Sequence, residues 1–167
     1  MSNFIPTENA LGIQPIGLSS TVQNHPLGTI VRAYDSTLGQ GEFIYLKGIA
    51  STVVGSLVTF DVAGGITALS PNTANLGQPV AVAMSANVAS QYGWYQISGP
   101  AVIKKTAVKV SPSVALFQSG TTGRVMPTVA SGKEVLNCRS TNAATVASAT
   151  STISAIIDRP FLQGQAI

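Results

Sequence analysis

Short runs of β-branched and aromatic residues are separated by clusters of Gly, Pro, Asn, Asp and Ser, at intervals of about 8 to 12 residues. No stretch keeps the 3.6-residue period of an amphipathic helix over several turns. The sequence therefore predicts an all-β domain of many short strands, either a sandwich or a small β-barrel. The predicted strands are Thr29–Tyr34, Phe43–Ile49, Leu57–Val62, Ile66–Leu69, Val80–Met84, Trp94–Ser98, Ala101–Lys105, Val114–Phe117, Arg124–Val129, Glu134–Cys138 and Thr152–Asp158.

Three connections between these strands carry specific turn signals. The stretch DSTLGQG, residues 35–41, separates the first two strands and predicts that they pair or lie close together. Gly64–Gly65 is a signal for a two-residue hairpin turn. Gly99–Pro100 predicts a tight reversal of the chain between the two strands that flank it.

Residues 1–26 differ from the rest of the chain. They contain Pro6, Pro15 and Pro26, scattered Gly, and no sustained period of either 2 or 3.6 residues. We predict an extended N-terminal arm over residues 1–26 that becomes ordered only when a partner holds it, followed by a β-rich domain over residues 27–167. The apolar side chains expected to anchor the arm on a partner are Phe4, Ile5, Leu11, Ile13 and Ile16.

Charge is unusually sparse in this chain. Charged residues make up 9% of the sequence, whereas about 25% is ordinary for a soluble domain. A monomer with so few surface charges is poorly protected against association, and charged residues are depleted at the centres of protein–protein contacts. The composition favours a surface that partners cover over a β protein whose surface is merely neutral.

The remaining composition excludes several classes of protein. The formal net charge is +3, and the basic cluster Lys104, Lys105 and Lys109 has no interleaved aromatic residue. We therefore predict a solvated strand face there and no nucleic-acid binding. The low-charge run Ile49–Leu69 contains an aspartate and three glycines, so it predicts strands and not a membrane helix. The N-terminus lacks the pattern of a signal peptide, and we expect the chain to be made in a cytoplasm.

Residues that could support catalysis are scattered. His25 and Cys138 are the single histidine and the single cysteine, and neither has a flanking catalytic motif. The six acids stand singly, without the spacing of an acid–base pair or a metal site. We predict no enzymatic activity, no metal and no cofactor, with a hydrolase based on Cys138 and His25 as an alternative.

The stretch AMSANVASQYGWYQISG, residues 83–99, contains the single Trp and two of the four Tyr but no charged residue. In a strand, Tyr95 and Ile97 share one face, and Trp94 and Gln96 share the other. We expect the first face to point into a core and the second to point toward a semi-polar environment. Trp94 then either caps the core of its own domain or contacts another subunit.

Three segments resemble the head decoration (capsid cement) proteins of tailed bacteriophages. They are PVAVAMSANVASQYGWYQISGPAVIKK at 79–105, HPLGTIVRAYDSTLGQGEFIYLKGIAS at 25–51, and RPF at 159–161. The resemblance covers roughly residues 27–161. It implies a β-tulip or related small β-barrel, located in the virion on the outer surface of the assembled capsid. The implied partner is the major capsid protein, with no cofactor and no reaction.

Self-association is expected from the neutral surface. The resemblance points to a homotrimer at a three-fold position, and a dimer is the second possibility. A protein of another class is also compatible with the sequence. A phage tail or adhesin module could bind host surface glycans by stacking them on Trp94 and Tyr92.

Overall fold

Eleven strands form within the residues that the computed structural model describes, which are 5–7 and 12–165. Those residues contain no helix. The all-β prediction and the prediction of many short strands are therefore confirmed. The strands are β1 (Ile5–Pro6), β2 (Ile30–Asp35), β3 (Gly39–Lys47), β4 (Leu57–Phe60), β5 (Thr67–Leu69), β6 (Val80–Ala83), β7 (Tyr92–Lys104), β8 (Ala115–Gln118), β9 (Val125–Met126), β10 (Glu134–Ser140) and β11 (Thr152–Leu162).

The strands form one antiparallel sheet that branches at β7. Its main path runs β1-β2-β3-β7-β11-β10-β8-β9, and the branch consists of β6, β4 and β5. At Tyr95 and Gln96, β7 pairs with β3 along one edge and with β6 along the other. The branched sheet is not a closed barrel, and the structure shows the predicted small all-β domain of many short strands.

The turn signals before residue 70 mark real hairpins. The loop between β2 and β3 is held by Asp35, whose Oδ1 accepts hydrogen bonds from the backbone N–H of Thr37 at 2.7 Å and Leu38 at 2.9 Å. Gly64–Gly65 lies in the hairpin of β4 and β5. Its loop spans residues 61–66 and is longer than the predicted two-residue turn, because the carboxylate of Asp61 caps the N–H groups of Ala63 and Gly64.

The tight reversal predicted at Gly99–Pro100 is absent, because β7 is continuous through it. Gly99 has a φ of 98°, which a residue with a Cβ rarely adopts. A Cβ at this position would lie 2.3 Å from the carbonyl oxygen of Gln40. The glycine therefore lets β7 pass close to β3 and continue to pair with β11 from Ser98 to Lys104.

Three hydrophobic clusters fill the domain, and β7 contributes to each of them. The aromatic core comprises Ile16, Val31, Ala33, Phe43, Tyr45, Met84 and Trp94. The hairpin core comprises Ile44, Leu46, Val58, Ala81, Ala83, Tyr95 and Ile97. The large core comprises Leu57, Val80, Val82, Ala101, Ile103, Val110, Leu116, Val125, Val135, Cys138, Ile153, Ala155, Ile157 and Leu162. Both faces of β7 are buried over residues 93–97, whereas Val102 farther along the strand is exposed. Tyr95 and Ile97 point into a core as predicted, and on the other face the Trp94 indole N–H donates to the carbonyl oxygen of Gln14.

Candidate functional site

Gln14 ties the second half of the predicted arm to the domain. Its Oε1 accepts hydrogen bonds from Tyr45 Oη at 3.0 Å and Asn24 Nδ2 at 2.9 Å. Its Nε2 donates to the carbonyl oxygen of Leu18 at 2.7 Å, and its backbone carbonyl accepts from Trp94 Nε1 at 2.8 Å. The polar groups of this buried side chain are therefore well satisfied, which is the condition for burying an amide without a large penalty.

Two of the predicted interface residues lie inside the domain. Ile16 is 2% exposed and Trp94 is 0% exposed, and both belong to the aromatic core. The prediction that they contact a partner is wrong, because their own domain already covers their apolar surface. A free arm is also wrong for residues 14–16. Trp94 caps the core of its own domain, which was the other possibility for this residue.

The burial of Trp94 also affects the glycan-binding alternative. The indole packs edge-on against Tyr45, with ring centroids 5.0 Å apart. Tyr92 is half-buried and stacks on the other side of the cluster, with its centroid 6.4 Å from that of Tyr45. Trp94 therefore presents no open ring face to a sugar, and this alternative loses one of its two proposed stacking residues.

The remaining predicted anchors of the arm have different surroundings. Phe4 and Leu11 lie outside the described residues, and Ile13 packs half-buried against the aromatic core. Ile5 is 63% exposed and pairs with Tyr34 at the outer edge of β2. Of these predicted anchors, Ile5 is the one that the structure shows with most of its side chain available to a partner.

An uncharged surface lies where β3 ends and β7 begins. We call it the neutral end; it consists of residues 17–24, 48–54 and 85–91, none of which is charged. The segments are held together by hydrogen bonds from Ser19 Oγ to Gln91 Oε1 at 3.0 Å and from the N–H of Asn87 to the carbonyl oxygen of Thr52 at 3.1 Å. Six apolar side chains of this surface are 39% to 66% exposed, namely Leu18, Val22, Ile49, Val53, Val54 and Val88.

A short charged strip crosses the sheet on another side. Glu42 on β3 accepts hydrogen bonds from Arg32 Nε of β2 at 3.1 Å and from Arg159 Nη2 of β11 at 2.9 Å. Arg159 has a φ of 44°, and it lies beside a register shift where Asn137 of β10 also has a positive φ. The bulge directs the guanidinium toward Glu42, as bulges commonly re-aim a side chain.

An apolar groove of about 330 Å³ adjoins the charged strip. Its floor is the open side of the hairpin core at Ile44, Ile97 and Phe60. Its rim carries Ile30, Val62 and Phe161, all of them exposed apolar side chains. The sequence pattern does not predict this groove, because its lining comes from strands that are far apart along the chain.

The two residues of the alternative hydrolase are far apart in the packing of the domain. The ring of His25 packs edge-on against Tyr45 and beside Trp94, and its Nε2 accepts a hydrogen bond from the N–H of Gln14 at 3.2 Å. Cys138 lies in the large core, and burial raises the pKa of its thiol to about 12. The structure therefore does not bring a nucleophile and a base together here. Within residues 5–7 and 12–165, no three His, Cys, Asp or Glu residues cluster as metal ligands.

The prediction that Lys105 lies on a solvated strand face is wrong. Its side chain is fully buried, and its ammonium donates to the carbonyl oxygens of Val108 at 2.8 Å, Thr106 at 3.1 Å and Ser148 at 3.3 Å. Desolvation lowers the pKa of this amine. Lys109 is exposed, whereas Lys104 is half-buried. The role of Lys105 in the domain is to join two loops, not to present charge to a partner.

No protein-family model matches the chain, and no curated protein matches it at a significant level. Among the described residues, no helix has the length and apolar character needed to cross a lipid bilayer. The features that bear on function are therefore the exposed surfaces of the chain itself: the neutral end, the charged strip and the groove.

Proposed function

We propose that this chain is a structural protein of a tailed-phage virion that binds the outer surface of the assembled capsid and stabilises it. The observation that carries the proposal is the neutral end. Six exposed apolar side chains lie there without a single charge, and such patches on soluble proteins mark contact surfaces. The resemblance to head decoration proteins supplies the kind of assembly, with the major capsid protein as the partner.

In this proposal the neutral end contacts neighbouring copies on the shell. Three copies form a cyclic trimer at a three-fold position, and a dimer is the second possibility. The arm side, where Ile5 lies exposed at the edge of β2, faces the shell. The contacts of a trimer act together through effective concentration, so each copy needs only a modest contact with the shell.

Stabilisation follows from mass action. A protein that binds the mature lattice and not its dissociated subunits adds RT ln(1 + [L]/Kd) per site, about 2.7 kcal/mol at a hundredfold excess over Kd. This role requires neither a cofactor nor a reaction. The chain is synthesised in the host cytoplasm and works on the outside of the virion. We propose a structural and not an enzymatic function.

The proposal is tested by reconstructing particles decorated with the wild-type protein and with Val88→Asp. Val88 lies in the neutral end. Val129→Asp is the control, because Val129 is also an exposed valine but lies outside the neutral end. We expect contacting copies in hundreds per particle for the wild type and for Val129→Asp, and reduced occupancy for Val88→Asp. A wild-type protein that does not bind shells would contradict the function. Isolated copies that touch no neighbour would contradict the self-contact.

A phage tail or adhesin module that binds host surface glycans stays a prediction, with Tyr92 and without Trp94 as a stacking residue. Copy number separates the two functions, because a tail or adhesin module is present in few copies per particle. Quantitative proteomics of purified virions measures this ratio directly. A copy number in single figures to tens would favour the tail module and contradict the cement.

A further inference from the structure

A polar recess of about 590 Å³ lies beside the charged strip. This volume is within the usual range for small-molecule binding sites. The recess is lined by a threonine next to β1, an arginine of β2, three residues of β3 and a serine of β7, namely Thr7, Arg32, Gln40, Gly41, Glu42 and Ser98. None of these residues is hydrophobic, so the recess offers little to an apolar side chain of a partner.

One cross-strand row forms most of this lining. The N–H of Thr7 donates to the carbonyl oxygen of Arg32 at 3.0 Å. Arg32 lies opposite Glu42, and Glu42 lies opposite Ser98. The row continues to Asp158 on β11. Because neighbouring strands are about 4.8 Å apart, adjacent side chains of the row can contact a single small ligand.

Among the described residues, the charges of this row balance. Arg32 and Arg159 both donate to the carboxylate of Glu42. The second carboxylate, that of Asp158, accepts a hydrogen bond from Ser98 Oγ at 3.4 Å. Two guanidinium groups therefore stand beside two carboxylates, and an anion or a cation would gain little net attraction. The row favours an uncharged ligand that is rich in hydrogen-bonding groups.

The polar groups of the recess have hydrogen-bonding capacity left for such a ligand. The side chain of Arg32 is 69% exposed. A guanidinium has five N–H donors, and the ion pair with Glu42 uses one of those of Arg32. The exposed amide of Gln40 can both donate and accept. The neighbouring hydroxyls of a saccharide also donate and accept, so they match this mixture of groups.

An exposed tyrosine lies next to the recess. Tyr34 is 47% exposed and lies opposite Gln40 in the pairing of β2 with β3. It is two residues from Arg32 along β2, so the two side chains share one face of the sheet. A tyrosine offers a large apolar ring together with a hydrogen-bonding hydroxyl. The ring can pack against the C–H groups of a sugar while the recess binds its hydroxyls.

We propose that the recess binds a neutral saccharide, with a pyranose ring packed on Tyr34 and its hydroxyls hydrogen-bonded to Arg32, Gln40 and Glu42. These side chains project from paired strands, so their backbone needs little ordering when the ligand binds. The site goes beyond the proposed function and requires no shell. The recess opens on the face of the sheet, whereas the shell contact proposed at Ile5 lies at the edge of β2.

The test uses the full chain without shells. The neutral probes are hexasaccharides of glucose, mannose, galactose and N-acetylglucosamine, and hexagalacturonate is the anionic probe because it carries a carboxylate on each ring. Saturation-transfer NMR and calorimetry measure binding to the wild type, Tyr34→Ala, Tyr34→Phe and Arg32→Ala. Arg139→Ala is the control for Arg32→Ala, because Arg139 on β10 is also exposed but lies outside the recess. Thermal melting of each variant confirms that it is folded.

We expect the wild type to bind at least one neutral hexasaccharide. Tyr34→Ala and Arg32→Ala should weaken this binding at least tenfold, whereas Tyr34→Phe and Arg139→Ala should stay within about twofold of the wild type. If no neutral probe binds, or if hexagalacturonate binds more tightly than every neutral probe, the inference is overturned. It is also overturned if Tyr92→Ala abolishes binding and Tyr34→Ala does not, since the saccharide would then lie at Tyr92. Shell binding is measured separately, so a failure of the proposed function leaves these outcomes unchanged.

Discussion

Replacing Gly99 by alanine tests the continuity of β7. The φ of 98° at this position costs a residue with a Cβ about 1–2 kcal/mol. The new Cβ would also lie 2.3 Å from the carbonyl oxygen of Gln40 and 3.0 Å from the Cα of Gly41. Both are backbone atoms of β3, so no side-chain rotation relieves the clash. Displacing a packed neighbour costs a further ~1–3 kcal/mol.

We therefore expect Gly99→Ala to lose about 3 kcal/mol of unfolding free energy, which lowers Tm by about 6–12 °C in a domain of this size. Urea denaturation and calorimetry measure the two quantities. Gly120→Ala is the matched control, because a Cβ at Gly120 meets nothing within 4 Å. Its change should stay within about 0.5 kcal/mol. Equal stabilities of the two variants would refute the close passage of β7 against β3 and would favour an exposed turn at Gly99.

Three further predictions concern buried groups. Ile16→Ala should lower the unfolding free energy measured in urea by about 2–5 kcal/mol, and Ile5→Ala, at an exposed position, should change it very little. Equal losses in the two variants would indicate that Ile16 belongs to a free arm. Between about pH 8 and pH 10 the wild type should lose about 1.4 kcal/mol of unfolding free energy relative to Cys138→Ala. Burial raises the thiol pKa of Cys138 from 9.0 to about 12, so only the unfolded thiol ionises in this range. Parallel pH profiles of the two proteins would contradict this prediction. Lys105→Met should lose about 1–3 kcal/mol of unfolding free energy, since buried carbonyl oxygens lose their hydrogen-bond donor, and the control Lys104→Met should lose little. A Lys105→Met protein that is more stable than the wild type would show that desolvation of the ammonium outweighs its hydrogen bonds.

Local signals predicted the parts of the fold that depend on neighbouring residues. The turn-forming stretch at residues 35–41 predicted that the strands on either side of it pair, and the structure pairs them with Arg32 opposite Glu42. The register is centred on Thr37 and not on Leu38, the middle of the stretch, so their ion pair could not have been predicted from the turn alone. The predicted strand Val80–Met84 corresponds to β6, Val80–Ala83, and its residues are buried on both faces because both faces are apolar.

Long-range packing decided the features that the sequence did not predict. Gly99–Pro100 has the composition of a turn, but whether the chain reverses there depends on β11, which is distant in sequence and pairs with the second half of β7. Gln14 lies in a segment without a period, and its burial depends on donors and acceptors from Tyr45 and Trp94. From its neighbours in the sequence Lys105 is expected at the surface, but it is buried because the distant loop around Ser148 supplies a carbonyl oxygen to its ammonium.

Because β7 contributes to all three hydrophobic cores, it also determines the order in which the domain can fold during synthesis. β7 supplies Trp94 to the aromatic core, Tyr95 to the hairpin core and Ile103 to the large core. The first two cores have all their members once the ribosome has released Ile97. The large core also needs Leu162 at the end of β11, so its part of β7 stays uncovered until then. A nascent chain halted between these points exposes an apolar strand edge, which makes it a substrate for chaperones and a risk for aggregation.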